Sequence, residues 1–345
     1  INPLIWALIM TSLSTSTIIT MSSNHWLLAW LGLELNMLSA LPIIMKQNHP
    51  RATEAATKYF LIQAAAATMI MCATTLNAWQ TGQWTIMYTP SNMTTTLMTA
   101  AIMMKLGLAP VHLWYPDVMQ GSTMTTALII STWQKLAPLS LLFMILNNLN
   151  LTILTLTGLL SATIGGLAGM NQTQTRKIMA FSSIAHMGWL LVALALTETL
   201  ATPTMITYIL MTSAMFMTLH NTATKSIQDL NTTWSMSPAL ATTTMLALMS
   251  LGGLPPLTGF LPKWLVIKEL STTNPTTAVL MLMVSLPSLF FYTRLAYLST
   301  LTTPPTTTNS EYNWRLTTNT KPNTTTMTAL ALFLLPMTPM LYNTT

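Results

Sequence analysis

The chain has 345 residues, of which 51% are hydrophobic and only 6% charged, with 13 Lys and Arg against 7 Asp and Glu. Soluble domains carry roughly 25% charged residues, so this composition, with a mean hydropathy of +0.53, excludes a water-covered globule and indicates an all-α polytopic membrane protein. The single Cys72 excludes a disulfide framework, a zinc site or an iron–sulfur cluster, and a net charge of +6 with no basic cluster longer than Arg176-Lys177 excludes a nucleic-acid surface.

Apolar windows of about 20 residues separated by polar breaks predict eleven spans. The first, Pro3–Thr20, has no basic n-region before it and so is not a cleavable signal. His25–Met45 carries Glu34 near its centre, and Ala55–Leu76 follows. Thr95–Val118 contains Lys105 and Pro110; Thr123–Ile145 contains Lys135, with Pro138 three residues on. Next come Leu151–Met170, Ile178–Leu196 with His186 in FSSIAHMGW, and Thr204–Thr224. Ala239–Glu269 is too long for one straight span, and its GGLPPLTGFLP run, with Pro255 and Pro256, must interrupt it. Thr276–Leu298 and Thr325–Leu341 complete the set, separated by a polar, Pro/Thr-rich stretch that reads as a surface loop able to meet a partner.

Loop charges orient these spans. The loops after spans 2, 4, 6, 8 and 10 hold Lys46, Arg51, Lys58, Arg176, Lys177, Lys225, Arg294, Arg315 and Lys321, whereas the opposite loops hold Lys268. By the positive-inside rule the N-terminus lies on the positive side and the C-terminus opposite. Three cations remain inside predicted spans, Lys105, Lys135 and Lys263, together with one acid, Glu34. Each intramembrane charge costs about 2.5–3.5 kcal/mol on an insertion scale. One carboxylate cannot neutralise three lysines, so a merely locking ion pair does not account for them.

Lys105 and Lys263 both lie beside prolines, in KLGLAPVHLWYPDV and LGGLPPLTGFLPK. Broken helices within a bilayer expose backbone carbonyls and admit water, the means by which a membrane accommodates an ion path. Lys105 falls in the fourth of spans 1–5 and Lys263 in the fourth of spans 6–10. Five is odd, so the second unit enters from the opposite face: two inverted five-helix repeats, each with a broken fourth helix, plus a C-terminal helix. The expected organisation is one transmembrane domain over 1–345, with repeats at about 1–147 and 148–300, a polar loop at about 301–323 and a last helix at about 324–342.

The strings LGLAPVHLWYPDV and SLGGLPPLTGFLPKW, the opening NPLIW and the long Thr-rich chain resemble the antiporter-like membrane subunits of respiratory complex I. The likeness covers essentially the whole chain. Members of that family generally have fourteen helices, and three are lacking here at the N-terminus, which leaves both repeats intact but a lateral face to be covered by another subunit. The resemblance implies proton translocation across the mitochondrial inner membrane, coupled to NADH-to-ubiquinone electron transfer in other subunits, with the N-terminus on the matrix side and the C-terminus in the intermembrane space. It also implies that NADH, FMN, iron–sulfur clusters and ubiquinone are bound by partner subunits and no cofactor by this chain. The partners are sister antiporter-like chains, small membrane chains, accessory subunits and inner-membrane lipids such as cardiolipin. Ile1 suggests a removed Met or an unusual start codon read in the organelle.

Carried over residue by residue, the resemblance makes Glu34 and Lys105 the ion pair of the first repeat, Lys135 the central relay and Lys263 the terminal group toward the exit side. His112 and His186 become secondary relay candidates, and Pro110, Pro255 and Pro256 the helix breaks. The chemistry agrees: loss of water disfavours an ammonium, while a nearby carboxylate favours it, so separating the pair releases a proton. Moving one proton against about 150 mV costs roughly 3.5 kcal/mol, and two to three pKa units amount to about 2.7–4.1 kcal/mol. Two rivals are a free-standing cation/proton antiporter, which needs more membrane acids than Glu34, and a nonconducting scaffold. The 29 methionines read as lipid-facing packing, not a metal site. Trp26, Trp79 and Trp84 read as interfacial anchors, and His25, His49 and His220 as solvated groups. Asp117 and Glu54 are expected to cap or pair locally.

Overall fold

The computed structural model describes residues 3–45, 49–89, 91–231, 233, 237–255, 257–300 and 322–337. Among them the secondary structure is helical, and β-type pairing is confined to two isolated bridges, His25 with Thr85 and Gln174 with Ser226. Two compact units divide the chain, Ile1–Thr157 and Gly158–Thr345. Among the described residues, eight helical stretches are long and apolar enough to cross a membrane, one of them, Met124–Asn148, made of two short helices and two 3-10 turns. Of the eleven predicted spans, the fourth and ninth are each interrupted, and the eleventh is a shorter apolar helix. Lys46, Pro256, Arg315, Lys321, nearly all of the polar loop and the end of the last predicted span lie outside the described residues.

In the first unit, α1 (Pro3–Ser22) packs on α2 (Trp26–Ile44), and α2 packs on α3 (Pro50–Thr81). The approach of α1 to α2 is close: a Cβ on Gly32 would stand 2.6 Å from the Thr20 methyl. Small residues serve this purpose in membrane helices. Thr and Ser are tolerated because their hydroxyls bond carbonyls one turn back, as Ser16 does to Leu13 and Thr20 to Thr17. Pro50 opens α3 at its first turn, the position where a missing N–H costs least. At 1.5 Å per residue its 32 residues span about 48 Å, beyond the roughly 30 Å hydrocarbon layer. The first turns therefore protrude, carrying Arg51, Glu54 and Lys58. The expected start at Ala55, with Lys58 in a loop, is corrected: hydropathy windows discount a charged first turn.

Another correction concerns Trp26, which is 1% exposed, whereas Trp79 is 85% exposed. The ring stacked at this helix start belongs to Trp84, lying 5.8 Å from the exposed His25. Trp26 donates its backbone N–H to the Trp84 carbonyl, and this pairing draws its side chain inward. The first unit continues with α4 (Asn92–Leu106), α5 (Trp114–Gly121), α6 (Met124–Ser131) and α7 (Leu136–Ile145), with a 3-10 turn at Trp133–Lys135 joining the last two.

The second unit holds most of α8 (Leu151–Met170), then α9 (Thr175–Leu196), α10 (Glu198–Asn221), α11 (Ile227–Asn231), α12 (Pro238–Gly252), α13 (Phe260–Thr273), α14 (Pro275–Thr300) and α15 (Pro322–Phe333). Its centre is α9, whose apolar window is 94% buried against 33% for α8 and α14. Around it, α9 contacts α10 and α13, α10 contacts α12 and α15, and α14 contacts α12 and α13. Where α10 gives way to α11, the Asp229 carboxylate accepts the backbone N–H groups of Ser226 at 2.8 Å and Lys225 at 2.9 Å. These bonds favour the ionised carboxylate and hold its pKa below the usual carboxylate range.

Candidate functional site

Both interrupted spans break in one way. Helix α4 ends on Gly107 at φ +70, with the N–H of Leu108 reaching the Met103 carbonyl at 3.0 Å; α12 ends before Gly253 at φ +80, with Leu254 reaching Met249 at 3.4 Å. A left-handed glycine with a bond spanning the last turn is the Schellman way of closing a helix. Each chain then runs seven positions to the next helix start, Gly107 to Trp114 and Gly253 to Phe260. The glycines thus end the helices, while Pro110 and Pro255 lie in the connections that follow. The sequence signal for this was a Gly two or three residues before Pro.

Within the first unit, Lys105 occupies the last turn of α4 and is 6% exposed. A cation suits a helix C-terminus, where unpaired carbonyls and the helix dipole concentrate negative potential. The Lys105 carbonyl itself accepts from Gln63 Nε2 at 3.1 Å. Lys135 closes the 3-10 turn between α6 and α7 and is 3% exposed, with its ammonium 5.0 Å from the centre of the Tyr115 ring. That is cation–π range.

Lys105 and Lys135 line a common cavity with about 20 Å³ open to water centres, room for roughly one molecule. Asn36, Trp114 and Gln134 also line it, and among the described residues the buried Asn36 Oδ1, Trp114 Nε1 and Gln134 Nε2 have no hydrogen-bond partner. Tyr59 donates to Gln134 Oε1 at 3.3 Å. Three open polar atoms and two amines around a water-sized space suit a water bonding two to four partners, the minimum hardware for passing a proton between lysines.

Glu34 is half-buried in α2, between the cavity-lining Leu33 and Asn36. Its carboxylate acts electrostatically on Lys105. Among the described residues, however, ion pairs within 4 Å belong to Lys58, which lies 2.8 Å from both Glu54 and Asp117. Glu34 and Lys105 therefore interact through space, without contact. His112 sits in the connection after α4, with Nδ1 3.2 Å from the Pro110 carbonyl, and lines neither described cavity.

In the second unit, Lys263 lies in the first turn of α13, across the break from α12. Its ammonium donates to the Gly252 carbonyl, the last residue of α12, at 2.8 Å. A second cavity of about 20 Å³ is lined by Lys263, His186, Thr204, Thr207 and Tyr208. His186 Nε2 is 3.3 Å from the Tyr292 hydroxyl, and its ring lies 5.9 Å from that of Tyr208. The structure thus brings Lys105 together with Lys135, and His186 with Lys263. Tyr59, Gln63, Tyr115, Gln134, Tyr208 and Tyr292 went unread in the sequence, where scattered aromatics and amides look like ordinary core.

A family profile described as NADH:quinone oxidoreductase/Mrp antiporter, TM, matches residues 23–290, and one for the NADH dehydrogenase subunit 2 C-terminus matches residues 289–342. NADH-ubiquinone oxidoreductase chain 2 of Danio rerio is 50% identical over 341 residues, 98% of each chain. The chain belongs to the NADH-ubiquinone oxidoreductase chain 2 family. Its fold matches a chain of respiratory complex I from Thermus thermophilus with bound aureothin at a TM-score of 0.79 and 26% identity, covering 95% of this chain and 79% of that one. A chain of the Mrp complex from Dietzia sp. DQ12-45-1b shares the fold at the same TM-score and 15% identity, covering 97% and 75%.

Proposed function

We propose that the chain is a core membrane-arm subunit of mitochondrial complex I, moving protons across the inner membrane while other subunits transfer electrons from NADH to ubiquinone. The observation carrying this reading is the pair of buried amines, Lys105 and Lys135, on one water-sized polar cavity beside a glycine-ended half-helix. Lipid-facing packing has no use for two such amines, each costing about 2.5–3.5 kcal/mol.

In this reading the field of Glu34 holds a proton on Lys105, and weakening that field releases it toward Lys135, the central relay. Lys263 is the terminal group toward the exit side, with His186 connecting. The chain is built of two inverted repeats, at about 1–147 and 148–300, with the N-terminus facing the matrix and the C-terminus the intermembrane space, a reading supported by the bias of cations toward one set of span ends in the sequence. Redox cofactors belong to partner subunits, and the partners are further membrane chains of complex I together with inner-membrane lipids.

The test is Lys105→Met in complex I within sealed inner-membrane vesicles, with proton uptake and NADH oxidation followed together. Fewer protons moved per electron are expected. An undiminished ratio contradicts the reading and favours a nonconducting scaffold.

A further inference from the structure

The second unit contains a buried hydroxyl that the relay has not used. Tyr292 on α14 is 1% exposed. Its hydroxyl meets His186 Nε2 at 3.3 Å and is also hydrogen-bonded to Ser182, one turn earlier on α9. Ser182 in turn donates to the Met179 carbonyl at 2.7 Å, so the phenol is held by a helix that is itself fixed. The space beside Gly252 on this side is bounded by the same side chain: a Cβ built on Gly252 would stand 3.8 Å from Tyr292 Cβ and Cδ2. Gly252 is the residue whose carbonyl takes the Lys263 ammonium at 2.8 Å. Tyr292 therefore meets the imidazole, and imidazole and lysine line one cavity.

We propose that Tyr292 is a positioning residue coupled to His186, its hydroxyl setting the imidazole that shares a cavity with Lys263. A phenol donates to a neutral imidazole nitrogen and accepts from a protonated one. Ser182 spends its own hydrogen on Met179, so its Oγ can accept from the Tyr292 hydroxyl, leaving the phenol oxygen to accept from a protonated His186 Nε2. No bond to carbon forms or breaks, and the proton count is that of the imidazole alone. The aromatic surroundings crowd this site: the Phe291 ring packs at a tilt with its centre 4.3 Å from that of Tyr292, and Tyr208 flanks His186 from α10.

This inference rests on the proton-translocation reading, and the experiment separates the two. In assembled complex I in sealed vesicles, protons moved per electron are compared for the parent, Tyr292→Phe, His186→Phe, the Y292F/H186F double variant and Lys263→Met. Tyr292→Phe keeps the ring and removes only the hydroxyl, and the ratio is normalised to each sample's own NADH oxidation, so a loss of assembled complex does not move it. The expected result is a lower ratio in Tyr292→Phe, with the double variant losing no more than His186→Phe alone, as for residues acting as one unit. A parental ratio in Tyr292→Phe, or losses in the double variant equal to the sum of the singles, overturns the coupling while leaving the relay intact. A parental ratio in Lys263→Met overturns the relay reading of this unit and the coupling with it. Should Tyr292→Phe not assemble, His186→Phe decides: a parental ratio overturns the proposal.

Discussion

The two interrupted spans end on the same kind of glycine and resume after the same interval, yet they place their lysines on opposite sides of the break. Lys105 sits two residues before Gly107, at the C-terminus of the first half-helix; Lys263 sits ten residues after Gly253, in the first turn of the second. The register of Lys263 in the first unit is held by Asp117, ten residues after Gly107, and Asp117 is tied to Lys58 at 2.8 Å. Lys105 is thus placed by the negative end of its own helix, with a second amine, Lys135, on the same cavity. Lys263 stands where a helix dipole disfavours a cation and is seated instead by the terminal carbonyl of the preceding half-helix. Backbone geometry is shared between the units; the electrostatic solution is not.

The largest effect that sharpens this contrast is expected from the glycines. An L-residue in the left-handed region costs about 1–2 kcal/mol, so Gly107→Ala and Gly253→Ala should both lower the thermal midpoint of the assembled complex. Only in Gly253→Ala does the new methyl strike a lysine, at 3.0 Å from Lys263 Nζ, whereas at Gly107 it meets Tyr115 Cβ at 3.1 Å. Proton movement per electron should therefore fall further in Gly253→Ala than in Gly107→Ala. Equal losses would break the contrast.

A smaller effect is expected at Glu34. Because its carboxylate acts on Lys105 without contact, Glu34→Asp should retain most of the parental proton movement and Glu34→Gln should not. If Glu34→Asp is as impaired as Glu34→Gln, the interaction depends on a geometry that a through-space field does not need. At the Lys58–Asp117 pair, with side chains 40% and 44% exposed, solvent screening leaves little. Asp117→Asn should change stability slightly, with the difference vanishing at high salt in thermal scans.

The smallest effect concerns Asp229. Its carboxyl is held below the usual range by two backbone N–H groups, so the charged form favours the folded turn. That contribution is present above the unfolded carboxyl value of about 3.9 and is lost as pH falls through the lower folded value. Hydrogen exchange should show the Lys225 and Ser226 amides better protected in the parent than in Asp229→Asn at pH 7, and equally protected in strong acid. Equal protection at pH 7 would remove the turn's dependence on the carboxylate.

Much of this architecture was legible in residue order. Hydropathy located the helices to within a few residues, as at Leu151–Met170, and the four charges out of place in an apolar chain marked Glu34, Lys105, Lys135 and Lys263. Positive φ was not legible in hydropathy, so the breaks read as proline effects although Gly107 and Gly253 end the helices. Nor does a window reveal which half-helix carries a lysine, because Lys105 and Lys263 both lie near prolines. Trp26 looked interfacial by position, yet a backbone bond to the Trp84 carbonyl turns it inward. Tyr115 and Tyr292 were hidden because their partners, Lys135 and His186, are 20 and 106 residues distant along the chain.

Both lysine sites, differently built, are held to serve one translocation of protons. The most direct measurement compares Lys105→Met and Lys263→Met side by side in assembled complex I in sealed vesicles, reading protons moved per electron delivered to ubiquinone. The prediction is a ratio below the parent in each. A parental ratio in either variant would mean that its unit does not carry protons.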